Sequence, residues 1–566
     1  MIHNRGPLLS IDVGERTTQE EDISEVNETF IGGRGVGTKL AHDRIPFDAD
    51  PLGPENRLVF ATGPLQTAMT SFTGRMSCTG LSPLTDGLLS SNAGGYMSRP
   101  FAAAGNAAVE IKGASDDLVG IHVTDEGVEF EDASDLAGAT TSETIEHIED
   151  TRGLDEGHTA VVGPAGENGV RFASIITSES RAFGRGGLGA VLGAKGVKFL
   201  TFDGDSPPEI DLDEELGMEI HKEASTSGSP MKDAGTVSVS DYANAVNALP
   251  TRYFEDQSYE HLDQIGSGAV MEHKYKKGTC SQCAFACKLP TKDEESGIVT
   301  EGPEYETMMS FGSNADNDDF VAIMEANELC DQLGMDTISC GDAVAAYLKS
   351  EGELGNEELM VETVEKIADR EGIGDTLAEG IDRCHEELGV ENWTMKGMEF
   401  AAHDGRALNG QGLSFATANR GADHMYAEMY QLEYPLVAPN DALDKEGVAG
   451  KSDRLIEQEN KNAVHDAGVL CKFAASSFDH ERYEQLFDAS WEELMDVGGR
   501  IVELERHFNS KRGFDRADDN ALPYELEGLD EELSNYYDLR GWNEDGTVPD
   551  AKVTGGSGGG AAPADD

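Results

Sequence analysis

Gly278-Thr-Cys280-Ser-Gln-Cys283-Ala-Phe-Ala-Cys287-Lys-Leu-Pro290 carries three cysteines within eight residues. This C-x2-C-x3-C spacing lets one short loop wrap three thiolates around a single cluster, and an iron–sulfur cubane needs four. The chain must then fold so that a distant cysteine returns to the loop. Cys471, in Asp466-Ala-Gly-Val-Leu-Cys471-Lys-Phe473, is the expected fourth ligand. Cys78, Cys330, Cys340 and Cys384 read as small buried residues or free thiols. Zinc is disfavoured, because it usually takes paired C-x2-C arms and no second arm is present. A disulfide framework is disfavoured in a chain this long that opens on Met1-Ile-His-Asn-Arg without an apolar signal core.

Around this loop the 566 residues divide by pattern. At roughly 150 residues per domain the length suits about three or four domains. Up to residue 204 strands dominate: Leu58-Val-Phe60, Ala108-Val-Glu-Ile111, and a hairpin of Ile121-His-Val123 and Val128-Glu-Phe130 around Asp125-Glu-Gly127. Val170-Arg-Phe-Ala-Ser-Ile-Ile176 and Val197-Lys-Phe-Leu-Thr-Phe202 are further strand candidates flanking a glycine-rich loop. Asp203-Gly-Asp-Ser-Pro-Pro-Glu209 marks a boundary. Helical periodicity follows: Phe320, Ile323, Met324 and Leu333 stop at Gly334, and Trp491, Leu494, Val497, Ile501, Leu504 and Phe508 form a second stripe. The expected division is a β-rich base over 1–204, helical domains over 205–400 and 401–553, and a disordered glycine-rich tail over 554–566.

Acids outnumber bases 108 to 43, a net charge of −65, which argues against unaided nucleic-acid binding. No apolar run reaches a membrane-spanning length. The excess is spread along the chain and costs self-repulsion that concentrated counterions would relieve, so we expect a halophilic, cytoplasmic protein. At about 1 M salt the Debye length falls to ~3 Å. A disordered acidic protein is excluded by the periodic apolar segments.

Two glycine-rich loops suit an anion. They are Ser91-Asn92-Ala-Gly94-Gly95 and Arg181-Ala182-Phe-Gly184-Arg185-Gly186-Gly187-Leu-Gly189-Ala190. Glycines let backbone N–H groups approach closely, while Arg75, Arg181 and Arg185 add charge-assisted bonds. No phosphate-binding G-x-x-x-x-G-K-[ST] is present, which disfavours an ordinary nucleotide triphosphatase.

Taken in order, these motifs resemble the aldehyde:ferredoxin oxidoreductase family, tungsten enzymes with two pterins and one cubane. The likeness runs from about residue 25 to about residue 546. It includes Ile31-Gly-Gly-Arg-Gly-Val-Gly37, Pro51-Leu-Gly-Pro-Glu-Asn56, Ala61-Thr-Gly-Pro-Leu65, Gly74-Arg75 and Tyr536-Tyr-Asp-Leu-Arg-Gly-Trp-Asn-Glu-Asp-Gly546. The resemblance implies an α+β multidomain fold, with an N-terminal β-rich domain supporting the pterins and two mainly α-helical domains behind it. It implies a tungsten or molybdenum bis-molybdopterin, one [4Fe-4S] cluster on Cys280, Cys283, Cys287 and Cys471, and Mg2+ held through the backbone carbonyls of Asn92 and Ala182. Arg75, Asn92, Gly94, Arg181, Ala182, Gly184, Arg185 and Lys472 fall at cofactor-binding positions. So do Asp331 and Asp336 of Asp331-Gln-Leu-Gly-Met-Asp336, and Asp466 of the second such segment, where Gly468 sits one place earlier than the usual glycine.

Glu306, in Glu301-Gly-Pro-Glu-Tyr-Glu306, and His424, in Asn419-Arg-Gly-Ala-Asp-His424, match the family's catalytic glutamate and histidine. Glu304 is the nearest decoy for the first, and His403 and His465 are decoys for the second. The implied reaction is an aldehyde plus water giving the carboxylic acid, with electrons passing through the cluster to a ferredoxin. Glu306 would activate water and take a proton, while His424 would hydrogen-bond the carbonyl oxygen. One departure bears on assembly: where the family's first-known members bridge a dimer with an iron-binding Glu-x-x-His, this chain has Glu325-Ala-Asn-Glu328. A homodimer remains an expectation without that metal. A second reading keeps fold and cofactors but acts on a sugar-phosphate aldehyde or, in reverse, as an acid or thioester reductase. A third is a pterin-free electron carrier.

Overall fold

The computed structural model describes residues 1–68, 70–178, 180–434 and 442–554, without the side chains of 474–476. Twelve strands among the described residues before 204 form two six-stranded sheets. The first holds β1 (Leu8–Asp12), β2 (Thr17–Glu21), β3 (Leu58–Ala61), β4 (Met76–Leu81), β5 (Leu88–Ala93) and β6 (Ala108–Lys112), in the order β2-β1-β6-β3-β4-β5. The second holds β7 (Val119–Thr124), β8 (Gly127–Asp132), β9 (Thr159–Val162), β10 (Ile175–Thr177), β11 (Arg181–Phe183) and β12 (Val197–Phe202), in the order β11-β10-β9-β12-β7-β8. Only β1 with β6 and β7 with β12 pair in parallel. Strand β2, Thr-Thr-Gln-Glu-Glu, is fully exposed, and its acids guard that edge against further pairing. The edges β5 and β11 lie against each other instead. Both anion-loop segments start from these two strands.

The hairpin forms as its alternation requires, with Thr124 opposite Gly127 across Asp125-Glu126. The expected strand over 170–176 is shorter: only Ile175 onward joins the sheet. The backbone before it pairs with the loop after a distant helix, Ser174 N–H donating to Gly334 O at 2.9 Å and Asp336 N–H to Phe172 O at 3.1 Å. A local alternation therefore serves a long-range contact, which fixes the Asp331–Asp336 segment against the β-rich base.

Helices dominate from Glu214 onward. The helix Phe320–Leu333 starts where the Asp319 carboxylate caps the N–H groups of Val321 and Ala322, and it ends at left-handed Gly334. The helix Trp491–Lys511 starts in a Ser490/Glu493 capping box. Among the described residues no helix is long and apolar enough to cross a membrane. Glu325 and Glu328 lie on the outer part of Phe320–Leu333, Glu325 exposed. Of the expected tail, Thr554 closes the last helix, and 555–566 lie outside the described residues.

The first glycine-rich stretch, expected as part of the opening motif, is helical from Gly33 to Arg44. A Cβ on Gly33 would stand 2.3 Å from the Asp466 carbonyl oxygen, at a φ of +40°. Glycine is what lets this helix abut the second pterin-type segment.

Candidate functional site

The cysteine loop of the helical part docks on the β-rich base. Ser281 N–H donates to Gly95 O at 2.9 Å, Ala284 N–H to Ser71 Oγ at 2.9 Å and Tyr96 Oη to Thr279 O at 2.8 Å. Cys471 is anchored nearby, its N–H donating to Phe72 O at 2.8 Å. Gln282 and Ala286 both take a left-handed φ of 55°, which curls the loop. Cys280, Cys283, Cys287 and Cys471 thus line one cavity, with Phe72, Phe285 and Phe473 in its walls. Among the described residues no three His, Cys, Asp or Glu side chains converge tightly enough for a single ion. Four thiols around one space are the number and kind of donor that a four-iron cluster takes. Burial pushes the Cys283 and Cys287 thiols up, and Cys471 adds to this. Thiolates here need a bound cation to offset that burial.

A second cavity adjoins the first. Its lining includes Arg75, Asn92, Gly184, Arg185, Arg420, Met425, Tyr426, Asp466 and Lys472. Four cations face one carboxylate. Asn92 Nδ2 and Arg420 Nε are buried there without a hydrogen-bond partner, and a Cβ on Gly184 would meet nothing within 4 Å. Unpartnered buried donors are costly unless a ligand takes them. The cationic lining and unpartnered donors suit an anionic group such as a phosphate.

Arg75 belongs to both cavities. Its Nη1 lies 3.4 Å from both Asn92 O and Oδ1. Burial alone would weaken its charge, but Cys471, its hydrogen-bond partner, and Cys280 outweigh that and hold its pKa above the ordinary arginine value. Asp466 is set by a comparable balance: burial raises its pKa, and Lys472 (3.4 Å) and Arg34 (3.3 Å) bring it below the usual carboxylate range. Arg34 also forks onto Glu505 with two 2.8 Å bonds and lies 3.5 Å from the Tyr426 ring centroid.

The third group includes His424, next in sequence to the Met425 of the charged cavity. Glu306, in the first turn of Tyr305–Phe311, accepts from Ala402 N–H at 2.7 Å through Oε2. Its Oε1 lies 3.3 Å from His424 Nε2 and 3.9 Å from His403 Nε2. Glu306 Oε1 and His424 Nδ1 are buried with no hydrogen bond made. His403 stacks on Tyr430 at 3.8 Å, and burial, reinforced by His424, lowers its pKa far below the ordinary imidazole value. The site therefore presents a carboxylate and a histidine beside a neutral imidazole and tyrosines.

Other expected residues stand behind these cavities. Arg181 pairs with Glu301 and feels Cys280 and Cys287, so it lies toward the thiols. Gly94 also faces them, a Cβ there standing 3.4 Å from Cys280 Sγ. Asn92 on β5 and Ala182 on β11 occupy the two apposed edge strands. Asp336 caps Ile338 and Ser339 and receives Arg185 Nε at 3.3 Å. Asp331 lies half-buried near the end of Phe320–Leu333, its carbonyl accepting from Thr141 Oγ1 at 2.9 Å. The decoy Glu304 is taken up by Thr236, and burial lowers the pKa of His465 to about 3 beside Tyr483. His403, set aside as a decoy, belongs to the Glu306–His424 group. Arg420, Tyr426 and Tyr430 were not singled out; the spacing Arg420-Gly-Ala-Asp423, an ion pair in the fold, is the one signal that could have marked the first.

Residues 8–204 match the profile described as "Aldehyde ferredoxin oxidoreductase, N-terminal domain", and 212–554 match "Aldehyde ferredoxin oxidoreductase, domains 2 & 3". The tungsten-containing aldehyde ferredoxin oxidoreductase of Thermococcus kodakarensis is 34% identical across 98% of both chains. The protein of the same description from Pyrococcus furiosus is 33% identical, also over 98% of both. An aliphatic sulfonate oxidoreductase WOR-like subunit from Pyrococcus furiosus is 26% identical over 98% of this chain and 96% of its own. In fold, the BamBC active-site complex of benzoyl coenzyme A reductase superposes with a TM-score of 0.81 at 23% identity, covering 97% of this chain and 96% of that one.

Proposed function

The chain belongs to the aldehyde ferredoxin oxidoreductase family, and we propose that it oxidises an aldehyde with water to the carboxylic acid, releasing two protons and two electrons that leave singly to ferredoxin. The observation that carries this reading is the Glu306–His424 pair: an anchored carboxylate 3.3 Å from a histidine, each with an unused buried polar atom.

In this reading Cys280, Cys283, Cys287 and Cys471 hold a [4Fe-4S] cluster. Arg75, Asn92, Gly184, Arg185, Asp466 and Lys472 bind the pterin side, with Gly94, Arg181, Asp331 and Asp336 supporting it and the Asn92 and Ala182 carbonyls holding Mg2+. A bound tungsten bis-pterin supplies the two-electron redox chemistry that no side chain can. The residues do the rest. Ala402 N–H fixes one Glu306 oxygen and so aims the other, which helps activate water for addition to the carbonyl carbon, the water giving up one proton, and takes the second proton from the aldehyde carbon while the C–H electron pair would pass to the bound group. His424 can donate a ring N–H to the carbonyl oxygen as negative charge develops there. A neutral His403 adds no competing charge, and the tyrosine walls keep bulk water away from the pair. The division into a base over 1–204 and helical units over 205–400 and 401–553 belongs to this reading, as does a salt-adapted surface.

The test is anaerobic purification, tungsten, molybdenum and iron per chain, and aldehyde turnover with a viologen acceptor. Sulfonates and aromatic thioesters belong in the same panel, since relatives in sequence and in fold are named for them. Glu306→Gln should lower aldehyde turnover by about 10²–10⁴-fold with metals and cluster absorbance retained. Unchanged turnover overturns the role of Glu306.

A further inference from the structure

From Lys274 to Lys292 the chain holds five lysines and no aspartate or glutamate, although acids outnumber bases 108 to 43 overall. This stretch contains the three clustered cysteines. We propose that the surface formed by Tyr275, Lys276 and Lys277 beside the cysteine loop is where an acidic one-electron carrier, a ferredoxin, docks. The inference rests on reading the four cysteines as an electron-transfer cluster and adds to it the carrier's position.

The lysines are not equivalent. Lys232 and Lys274 cap backbone carbonyls: Lys232 donates to Ser225 O at 2.9 Å, and Lys274 donates to Lys232 O and Asp233 O at 3.0 Å each. Lys292 pairs with Glu294 at 2.9 Å, and Lys288 is buried facing Glu301. Lys276 and Lys277 are exposed, and among the described residues neither makes an ion pair; Lys276 Nζ lies 5.2 Å from the Tyr275 ring centroid. Tyr275 is 48% exposed and Met271 54% exposed, among the few large apolar side chains turned to solvent. Gln282, between two of the cysteines, is also exposed, so the thiol cavity approaches the surface here. Glu272, Asp233 and the Asp293-Glu294-Glu295 run that follows Lys292 border it, with Glu294 taken by Lys292.

An aromatic and a methionine beside uncommitted cations make a hot spot suited to an acidic protein. Charge complementarity chooses the partner. A net charge of −65 repels an acidic carrier over the surface as a whole, while the two exposed lysines without ion pairs beside the thiol loop offer it a local attraction. Each docking passes one electron to an oxidised ferredoxin, and two dockings match one aldehyde oxidised.

The experiment titrates the anaerobic holoenzyme with a purified acidic ferredoxin by calorimetry across a salt series. It compares the native protein, K276E/K277E, the milder K276Q/K277Q and the remote control K366E. K276E/K277E should weaken binding at least roughly tenfold and flatten its salt dependence, with the glutamine variant between it and native. Viologen-linked turnover, read on the same samples, should not change. Unaltered affinity, or an equal loss in K366E, overturns the proposal. So does a native dimer in sedimentation that K276E/K277E dissociates, for the face would then belong to a second copy. Absent aldehyde turnover with ferredoxin binding intact would instead sink the aldehyde reading and leave the docking site standing.

Discussion

The thiol cavity and the charged cavity lie side by side, share Arg75, and are assembled in opposite ways. Three of the four thiols come from one eight-residue loop, and phenylalanines close the walls. The charged cavity draws its lining from Arg75, Ser90–Asn92, Gly184–Arg185, Arg420–Tyr426 and Asp466–Lys472, segments spread over some four hundred residues. The first is a local device that needs one long-range partner. The second exists only while several elements pack at close range, so it should fail through substitutions that touch no ligand.

Breaking the local device gives the largest effect. Cys283→Ser should strip the cluster, taking iron from about four per chain to near zero and ending ferredoxin-linked turnover. Tungsten should stay, because the loop is tied to the base by hydrogen bonds to Gly95 O and the Ser71 hydroxyl rather than by the metal. Metal analysis checks both; loss of tungsten together with iron would show that the two cavities form one unit.

Breaking the distributed site calls for a remote change. In Gly33→Ala the added methyl would stand 2.3 Å from Asp466 O and 2.8 Å from Val469 Cγ1. Neither a backbone carbonyl nor a β-branched side chain yields easily, and a φ of +40° adds strain. Overpacking of this kind costs about 1–3 kcal/mol. Denaturation should shift to lower urea, and tungsten content should fall further than iron. Equal loss of the two metals, or no change in either, contradicts the separation.

The same division explains what could be read in advance. The cysteine loop, the hairpin at Asp125-Glu126 and the helix stopping at Gly334 are written in short patterns, since spacing, alternation and capping act over a few residues. Arg34, which holds Asp466 and Glu505, carries no such mark: its partners lie 432 and 471 residues away. His403 looked like an ordinary histidine because the stacking on Tyr430 that places it is tertiary. The strand expected from Val170 failed for a related reason, its first residues pairing with the Gly334–Asp336 loop rather than with the sheet. Glu306 and His424 were legible through their family motifs alone; charge and periodicity would not have found them in so acidic a chain.

The smallest effect probes the residue common to both cavities. Arg75→Lys keeps the cation but replaces a planar fork with a point charge, so one ammonium cannot serve Asn92 and Cys471 with the same geometry. Neither cavity loses its wall, and both metals should load fully. What weakens is the link: reduction of the cluster by aldehyde should slow only a few-fold in a stopped-flow trace. Direct viologen reduction at the surface-facing cluster should be slowed equally if electrons reach the dye only through that link, and less if the dye also collects them elsewhere. An unslowed trace with both metals present would mean that Arg75 separates the cavities without coupling them, and that contact between their other walls, such as Asp466 and Cys471 on one short segment, carries the coupling.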